Sequence, residues 1–240
     1  MAMSDFADIW SYLASGPLIW LTLTLVAYVA GDALSQASGR APLANPVLIA
    51  VILLAMVLWA SETAYPVYFE GAQFVHFLLG PATVSLAIPL WQQGHRLRRA
   101  MLPVLAGVVT GSLVAVVSAL GIARALGVDG ETLAALAPKG TTAPVAIGIA
   151  QSLGGSPTLA AVLVLLTGIT GAVMATPLLN ALGLKDWRAR GLAVGTAAHG
   201  IGTARALQVH PRAGAYAAIG MGLNAILTAF LAPFIFRAFG

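Results

Sequence analysis

Apolar stretches that run for the thickness of a bilayer decide most of what this chain can fold into. Seven or eight can be marked along its 240 residues, at 12–34, 43–60, 74–91, 102–126, 132–153, 159–182, 192–209 and 213–236. A hydrocarbon core ~30 Å thick takes roughly 20 helical residues to cross. Hydrophobic residues make up 59% of the chain and charged ones only 8%, whereas a soluble domain carries about a quarter of its residues charged. So little polar sequence separates the stretches that no soluble domain fits between them. The absence of strict apolar/polar alternation argues against a transmembrane β-barrel. The expectation is a single transmembrane domain covering residues 1–240, all-α and integral to the bilayer.

The chain has no cysteine, which removes disulfides and thiolate metal sites. Its net charge of +4 is spread over short loops and forms no basic face, so no nucleic-acid partner is expected. The first apolar stretch lacks the pattern of a signal peptide, because Asp5 and Asp8 stand where a positive n-region belongs. It is expected to persist as the first helix.

Charge signs then set a topology. Asp5/Asp8, Glu62/Glu70 and Asp129/Glu131 mark one side; Arg40, Arg96/Arg98/Arg99, Lys185/Arg188/Arg190 and Arg212 mark the other. The positive-inside rule puts the second group in the cytoplasm and the N-terminus outside. This works only if 132–153 enters and leaves from the outer side and 192–209 does so from the inner side. Each is then a hairpin of two half-helices of about nine residues, reaching ~13 Å, roughly to the midplane. That gives six spans with two opposed re-entrant segments in an inverted-repeat arrangement. If both segments cross fully as broken helices there are eight spans, and the 185–190 loop faces outward. Charge favours the first.

The same two segments carry the polar chemistry. Pro138-Lys139-Gly140-Thr141-Thr142-Ala143-Pro144 breaks the first, at Pro138, Gly140 and Pro144; Gly195, Gly200 and Gly202 are the expected breaks in the second, which also holds Thr196, His199, Thr203 and Arg205. Gly80-Pro81 interrupts 74–91 in a similar way. Non-helical backbone at membrane depth is tolerated only where protein or a water-filled cavity satisfies it. Two such segments entering from opposite faces would meet near the centre, where transporters with inverted repeats place their site. Half-helix N-termini and the like-signed Lys139 and Arg205 favour an anion there. Arg205 offers a bidentate fork and Lys139 a point charge, with Thr141, Thr142, Thr196 and Thr203 available to a substrate hydroxyl or keto oxygen.

Blander readings exist for each part. Gly and Pro are common in ordinary transmembrane helices, and Thr there often bonds its own backbone; the pairing of two broken segments, each with a basic residue, tips the balance toward a cavity. His199 is either a proton carrier or an interior histidine bonded to a carbonyl. Asn224 is a helix–helix hydrogen-bonding residue first and a substrate ligand second. Gly107/Gly111, at GxxxG spacing, reads as a close-packing face, and a homodimer with the broken segments outside its contact is expected. Trp10, Trp59, Trp91 and Trp187 fall at the ends of apolar stretches, as interface anchors do. Gly200-Ile201-Gly202 is no dinucleotide fingerprint, since no βαβ unit precedes it. There is no nucleophile–base–acid constellation and no metal-ligand set, so neither catalysis nor a metal or cofactor is expected.

Several of these segments resemble one family. Leu79 to Leu90 (LGPATVSLAIPL), Pro138 to Ala146 (PKGTTAPVA), Gly154-Gly155 with Thr167-Gly168, and above all Ala189 to Ala206 (ARGLAVGTAAHGIGTARA) look like the LrgB/CidB family over nearly the whole chain. Family members usually read Lys-Ser-Val-Thr-Thr-Pro where this chain has Lys139 to Pro144. The resemblance implies a multi-pass protein of the bacterial inner (plasma) membrane. It carries two functions: antiholin-like control of murein hydrolase export and autolysis beside a small LrgA/CidA-like holin-like partner, or transport of a small anionic carboxylate. The second follows from similarity to the C-terminal half of the plant plastid glycolate/glycerate translocator and from the link of bacterial members to pyruvate uptake. The broken segments favour a secondary transporter of small monocarboxylates, proton-coupled through His199 if that residue titrates, working by alternating access.

Overall fold

The computed structural model describes residues 16–41, 43–78, 81, 84, 85, 91 and 100–239. Among them every regular element is a helix. The chain divides into two compact units, Met1–Ala82 and Thr83–Gly240.

In the first unit, α1 (Pro17–Ala37) packs on α2 (Pro46–Ala60) and on α3 (Tyr65–Phe77). Small residues set both contacts. A methyl on Gly31 would stand 2.6 Å from the Pro46 carbonyl oxygen, and one on Gly71 would overlap the Pro17 carbonyl oxygen. Trp20, fully buried, meets Tyr68 edge-on at 6.0 Å, and the Thr24 hydroxyl donates to the Tyr68 oxygen at 3.2 Å. The expected span 43–60 begins later, because Asn45 caps α2, its side-chain oxygen accepting from the N–H of Val47 and Leu48. At 15 residues α2 falls short of the roughly 20 that a straight crossing takes. The segment 61–73, expected as polar connection, supplies most of α3 instead. Gly80, Pro89 and the basic loop 92–99 lie outside the described residues.

The second unit repeats one pattern of lengths. A 25-residue helix, α4 (Met101–Ala125), leads into a broken segment, α5 (Gly130–Leu136) and α6 (Ala143–Ser152). A second 25-residue helix, α7 (Pro157–Ala181), leads into a second broken segment, α8 (Trp187–Val209). The long α9 (Pro211–Phe239) follows. Each broken segment covers 23 residues from first to last helical residue.

Both broken segments double back. In α8 the helix fails at Ala198 (φ −127°, ψ 16°) and His199 (φ 39°, ψ −133°). A straight 23-residue helix would separate its ends by about 34 Å, yet the rings of Trp187 and His210 stack with centroids 4.7 Å apart. Gly202 likewise comes back against Val194, where a methyl would stand 3.0 Å from the valine side chain. We call the two limbs α8a (before the turn) and α8b (after it). In the first segment, Leu133 of α5 shares a core cluster with Ile149 and Leu153 at the far end of α6, and a methyl on Gly155 would stand 2.7 Å from the Ala135 nitrogen. Its turn is 137–142.

Glycines align the bundle around these hairpins. Gly107 and Gly111 of α4 face Leu192 and Thr196 of α8a, while Gly191 and Gly195 of α8a lie against the carbonyls of Ala213 and Ala217 in α9. Helices α4, α8a and α9 therefore run parallel, with their first residues level. The Gly107/Gly111 face is thus a close-packing face, as its spacing suggests, and the helix it packs on belongs to the same unit. Gly195 and Gly202 are helical, and neither they nor Gly200 makes the turn. The break falls at His199, a residue whose φ lies in the region that favours glycine and costs an ordinary side chain about 1–3 kcal/mol unless the surroundings impose it. Pro144 does not interrupt a helix either; it sits in the first turn of α6, where its missing N–H costs nothing.

Candidate functional site

Long helices of this unit place polar side chains at their midpoints, and the hairpin tips arrive at the same height. Ser112 lies midway along α4, and Asn224 and Thr228 near the middle of α9; all three are buried. The Ser112 hydroxyl donates to the Asn224 side-chain oxygen at 2.6 Å, Thr228 donates to the same oxygen at 3.1 Å, and the Asn224 amide donates to the Gly140 carbonyl at 2.8 Å. Asn224 thus ties the tip of the first hairpin to α4 and α9 and has its acceptor doubly occupied. Of its two sequence readings, the helix-bonding one describes this geometry.

The second tip closes on α7 at mid-length. Gly168 has no side chain, and a methyl there would stand 2.6 Å from the His199 ring. That gap lets the imidazole Nε2 reach the Val164 carbonyl at 2.9 Å, an interior histidine bonded to a carbonyl. Gly171 admits Ala198 in the same manner. The Thr203 hydroxyl donates back to the His199 carbonyl at 2.7 Å, a threonine bond to the backbone four residues earlier.

The two tips meet. A methyl on Gly140 would stand 4.0 Å from the Thr196 carbonyl oxygen, and Lys139 is an electrostatic neighbour of His199. Thr141 is buried, its hydroxyl donating to the Thr142 carbonyl at 3.2 Å. Thr142 precedes α6 without capping it. The hydroxyls of Thr142 and Thr196 are buried with no hydrogen-bond partner among the described residues; leaving such a group unpaired costs about 1–3 kcal/mol. Lys139, Thr141, Thr142, Thr196, His199 and Thr203 therefore share the tip region. Arg205 does not join them: six residues beyond His199 on α8b, about 9 Å along the axis, it lines a cleft with Arg190. Sequence reading missed Ser112 and Thr228, whose role depends on contact with Asn224, and took Arg190 as a loop cation although it is buried in α8a.

Among the described residues, four helices are long and apolar enough to cross a membrane: α1, α4, α7 and α9. Their flanks present bulky apolar side chains outward, such as Leu102 at 81% and Phe234 at 70% exposure. Fold and surface define a multi-pass, all-α membrane protein. The description "LrgB-like family" matches residues 24–238. Holin-like protein CidB of Staphylococcus epidermidis is 32% identical over 92% of this chain and 96% of the relative; its counterpart in Staphylococcus aureus strain Mu50 is 30% identical over the same shares. The uncharacterized protein YxaC of Bacillus subtilis (strain 168) is 35% identical over 91% of this chain and 94% of its own length. No solved structure matches. The chain belongs to the LrgB-like family.

Proposed function

We propose that this chain carries small monocarboxylates, of the glycolate, glycerate or pyruvate kind, across the bacterial inner membrane by alternating access. The observation that carries this reading is the mid-height polar layer, where two hairpin tips meet and leave the Thr142 and Thr196 hydroxyls buried without partners. The half-helices α6 and α8b both begin at that layer, and their free N–H groups favour negative charge. Lys139 adds a cation, and this reading gives any coupled proton to His199, although its ring already bonds the Val164 carbonyl. Each hairpin would re-enter the membrane from one face, the first from outside and the second from the cytoplasm, with the chain's N-terminus outside. The parallel, level starts of α4 and α8a support this arrangement, as does the charge balance of the unit. Lys185, Arg188, Arg190 and Arg212 gather at one end with Asp186, while Arg124 and Arg237 balance Asp129 and Glu131 at the other.

Uptake of labelled glycolate or pyruvate into proteoliposomes holding the purified protein alone tests the reading. Thr196→Val, which keeps the shape and removes the orphan hydroxyl, is expected to lower the initial rate about tenfold, the order of one hydrogen bond to a charged group. No uptake by a well-folded preparation would end the transport reading. Topology has its own measurement. Single cysteines at 93 and 187 are expected to label from the same, cytoplasmic side and cysteines at 70 and 129 from the other; opposite labelling of 93 and 187 would replace the hairpins in the membrane with eight full crossings.

A second reading is favoured by the names of the relatives. Two of them are called holin-like, which weighs toward an antiholin-like regulator of murein hydrolase export, acting with a small holin-like partner, more than toward transport. A regulator works through helix surfaces and has no use for unpaired hydroxyls at mid-height. Loss of an autolysis phenotype on deleting the gene, restored in full by a chain in which Thr196→Val has lowered uptake about tenfold, would favour this reading over the first. A homodimer belongs to either reading. With Gly107/Gly111 occupied, its contact would have to use the outer faces, and cross-linking in native membranes tests it.

A further inference from the structure

The two halves of the second unit repeat in sequence as well as in length. Their broken segments begin at Gly130 and Trp187 and end at Ser152 and Val209, 57 residues apart at both ends. The same shift carries Thr110-Gly111 of α4 onto Thr167-Gly168 of α7. These are identical dipeptides, and their glycines both receive the second hairpin. A methyl on Gly111 would stand 3.0 Å from the Thr196 side chain, and one on Gly168 would stand 2.6 Å from the His199 ring. On this register Thr142 is the counterpart of His199, and Lys139 the counterpart of Thr196. The breaks agree: 198–199 falls on 141–142, the end of the first turn.

An internal repeat of this kind relates its halves by a pseudo-two-fold axis, and such an axis carries one pair of neighbours onto another. Lys139 and His199 are electrostatic neighbours, so the axis pairs their counterparts, Thr196 and Thr142. Those are the two buried hydroxyls that lack a hydrogen-bond partner among the described residues. Thr142 is 8% exposed and Thr196 5%. Since they do not bond each other, they stand farther apart than a hydrogen bond reaches. The basic pair is similarly open. Lys139 is half-buried and makes no ion pair among the described residues, and the His199 ring spends one nitrogen on the Val164 carbonyl. Chemistry therefore differs across the axis, with an ammonium and an imidazole on the Gly168 side and two hydroxyls on the Gly111 side. An ammonium brings charge and three donors, whereas a hydroxyl donates or accepts without charge.

We propose that the tips enclose one two-ended site. Lys139, beside His199, holds a carboxylate at the Gly168 end, and Thr142 with Thr196 holds an uncharged oxygen of the same small molecule at the Gly111 end. The ligand that fits is an acid with one carboxylate and a hydroxyl or oxo group on the neighbouring carbon. A second carboxylate would meet hydroxyls without a cation, and a plain acid would leave both hydroxyls unpaired. The assignment rests on the reading of the tips as a substrate site and adds which end takes which part of the substrate.

Purified full-length protein is titrated with glycolate, acetate and malonate by calorimetry, and uptake of labelled glycolate is measured in proteoliposomes from the same preparations. The unsubstituted chain is expected to bind glycolate about tenfold more tightly than acetate, the order of pairing a hydroxyl otherwise left unbonded. Malonate is expected to bind no better than acetate. Thr142→Val and Thr196→Val should each bring glycolate down toward acetate while acetate stays where it was. Lys139→Gln should weaken glycolate and acetate alike, by at least about tenfold, with their ratio kept. Ser118→Ala, an exposed hydroxyl on α4, leaves all three affinities unchanged. A glycolate-to-acetate ratio untouched by both valine variants, a ratio that collapses in Lys139→Gln, or malonate bound as tightly as glycolate overturns the two-ended site. Any of these alongside full glycolate uptake leaves transport standing; the expected affinities without uptake keep the site and end transport. No binding of any of the three overturns both.

Discussion

Cysteines introduced together as Trp187→Cys and His210→Cys are expected to be joined by a short bifunctional thiol reagent in most molecules, within one chain. The ring positions they replace stack at 4.7 Å, whereas a continuous helix of 23 residues holds its ends about 34 Å apart. The outcome is all-or-none. The chain has no other cysteine, so the double variant needs no prior removal of thiols. Trypsin cuts after Arg190 and Arg205, between the two sites, and a linked protein yields one joined peptide where an unlinked one yields two. Links found only between chains would show that α8 is straight and that its doubling back is wrong. The same result would remove the cleft of Arg190 and Arg205, because those side chains share a wall only if the limbs lie side by side.

Gly195→Ala is expected to destabilise the protein by more than about 3 kcal/mol, at or beyond the upper end of ordinary overpacking. The added methyl would overlap the Ala217 carbonyl oxygen, with the carbonyl carbon and Cα close behind. Backbone of α9 cannot step aside as a side-chain end can, so α8a and α9 must separate along their whole contact. Gly148→Ala in α6 is the matched control. Nothing lies within 4 Å of its added methyl, and loss of glycine's freedom in the unfolded chain stabilises such a site by about 0.4–1 kcal/mol. Unfolding temperatures in one detergent compare the two. Equal effects would mean that the glycines of α8a serve chain flexibility rather than close approach.

These glycines also explain where the sequence could and could not be read. Long apolar runs announced α4, α7 and α9 by length alone, and Pro138 with Gly140 announced the first turn, since both residues resist a helix there. In the second segment glycine carries two meanings that look alike in sequence: freedom of the backbone and room for a neighbour. Gly195 and Gly202 have the second meaning and stay helical. The turn is made by His199, which accepts a positive φ because the Val164 carbonyl and the bare surface of Gly168 hold its ring; partners that distant leave no local signal. The pairing of Arg190 with Arg205 was hidden for a related reason. On a straight helix they are fifteen residues and about 22 Å apart, and they become neighbours only once the chain folds back. The polar layer was half legible: Thr142, Thr196 and Asn224 stand out as hydroxyls and an amide in apolar runs, but which of them would be satisfied depended on Ser112, Thr228 and Gly140.

The glycine-to-carbonyl seam between α8a and α9 has a consequence for biogenesis. The segment 187–209 carries Arg188, Arg190, His199 and Arg205, and each arginine at depth opposes insertion by about 2.5–3.5 kcal/mol on translocon scales. Such a segment does not partition into lipid on its own hydropathy. Part of its docking surface, the carbonyl rows at Ala213 and Ala217, exists only once α9, the next and more apolar helix, has been made. If the hairpin enters the membrane, it is expected to do so late, after its successor. Nascent chains arrested before residue 211 should keep 187–209 accessible to a water-soluble thiol reagent that chains extended through 239 exclude.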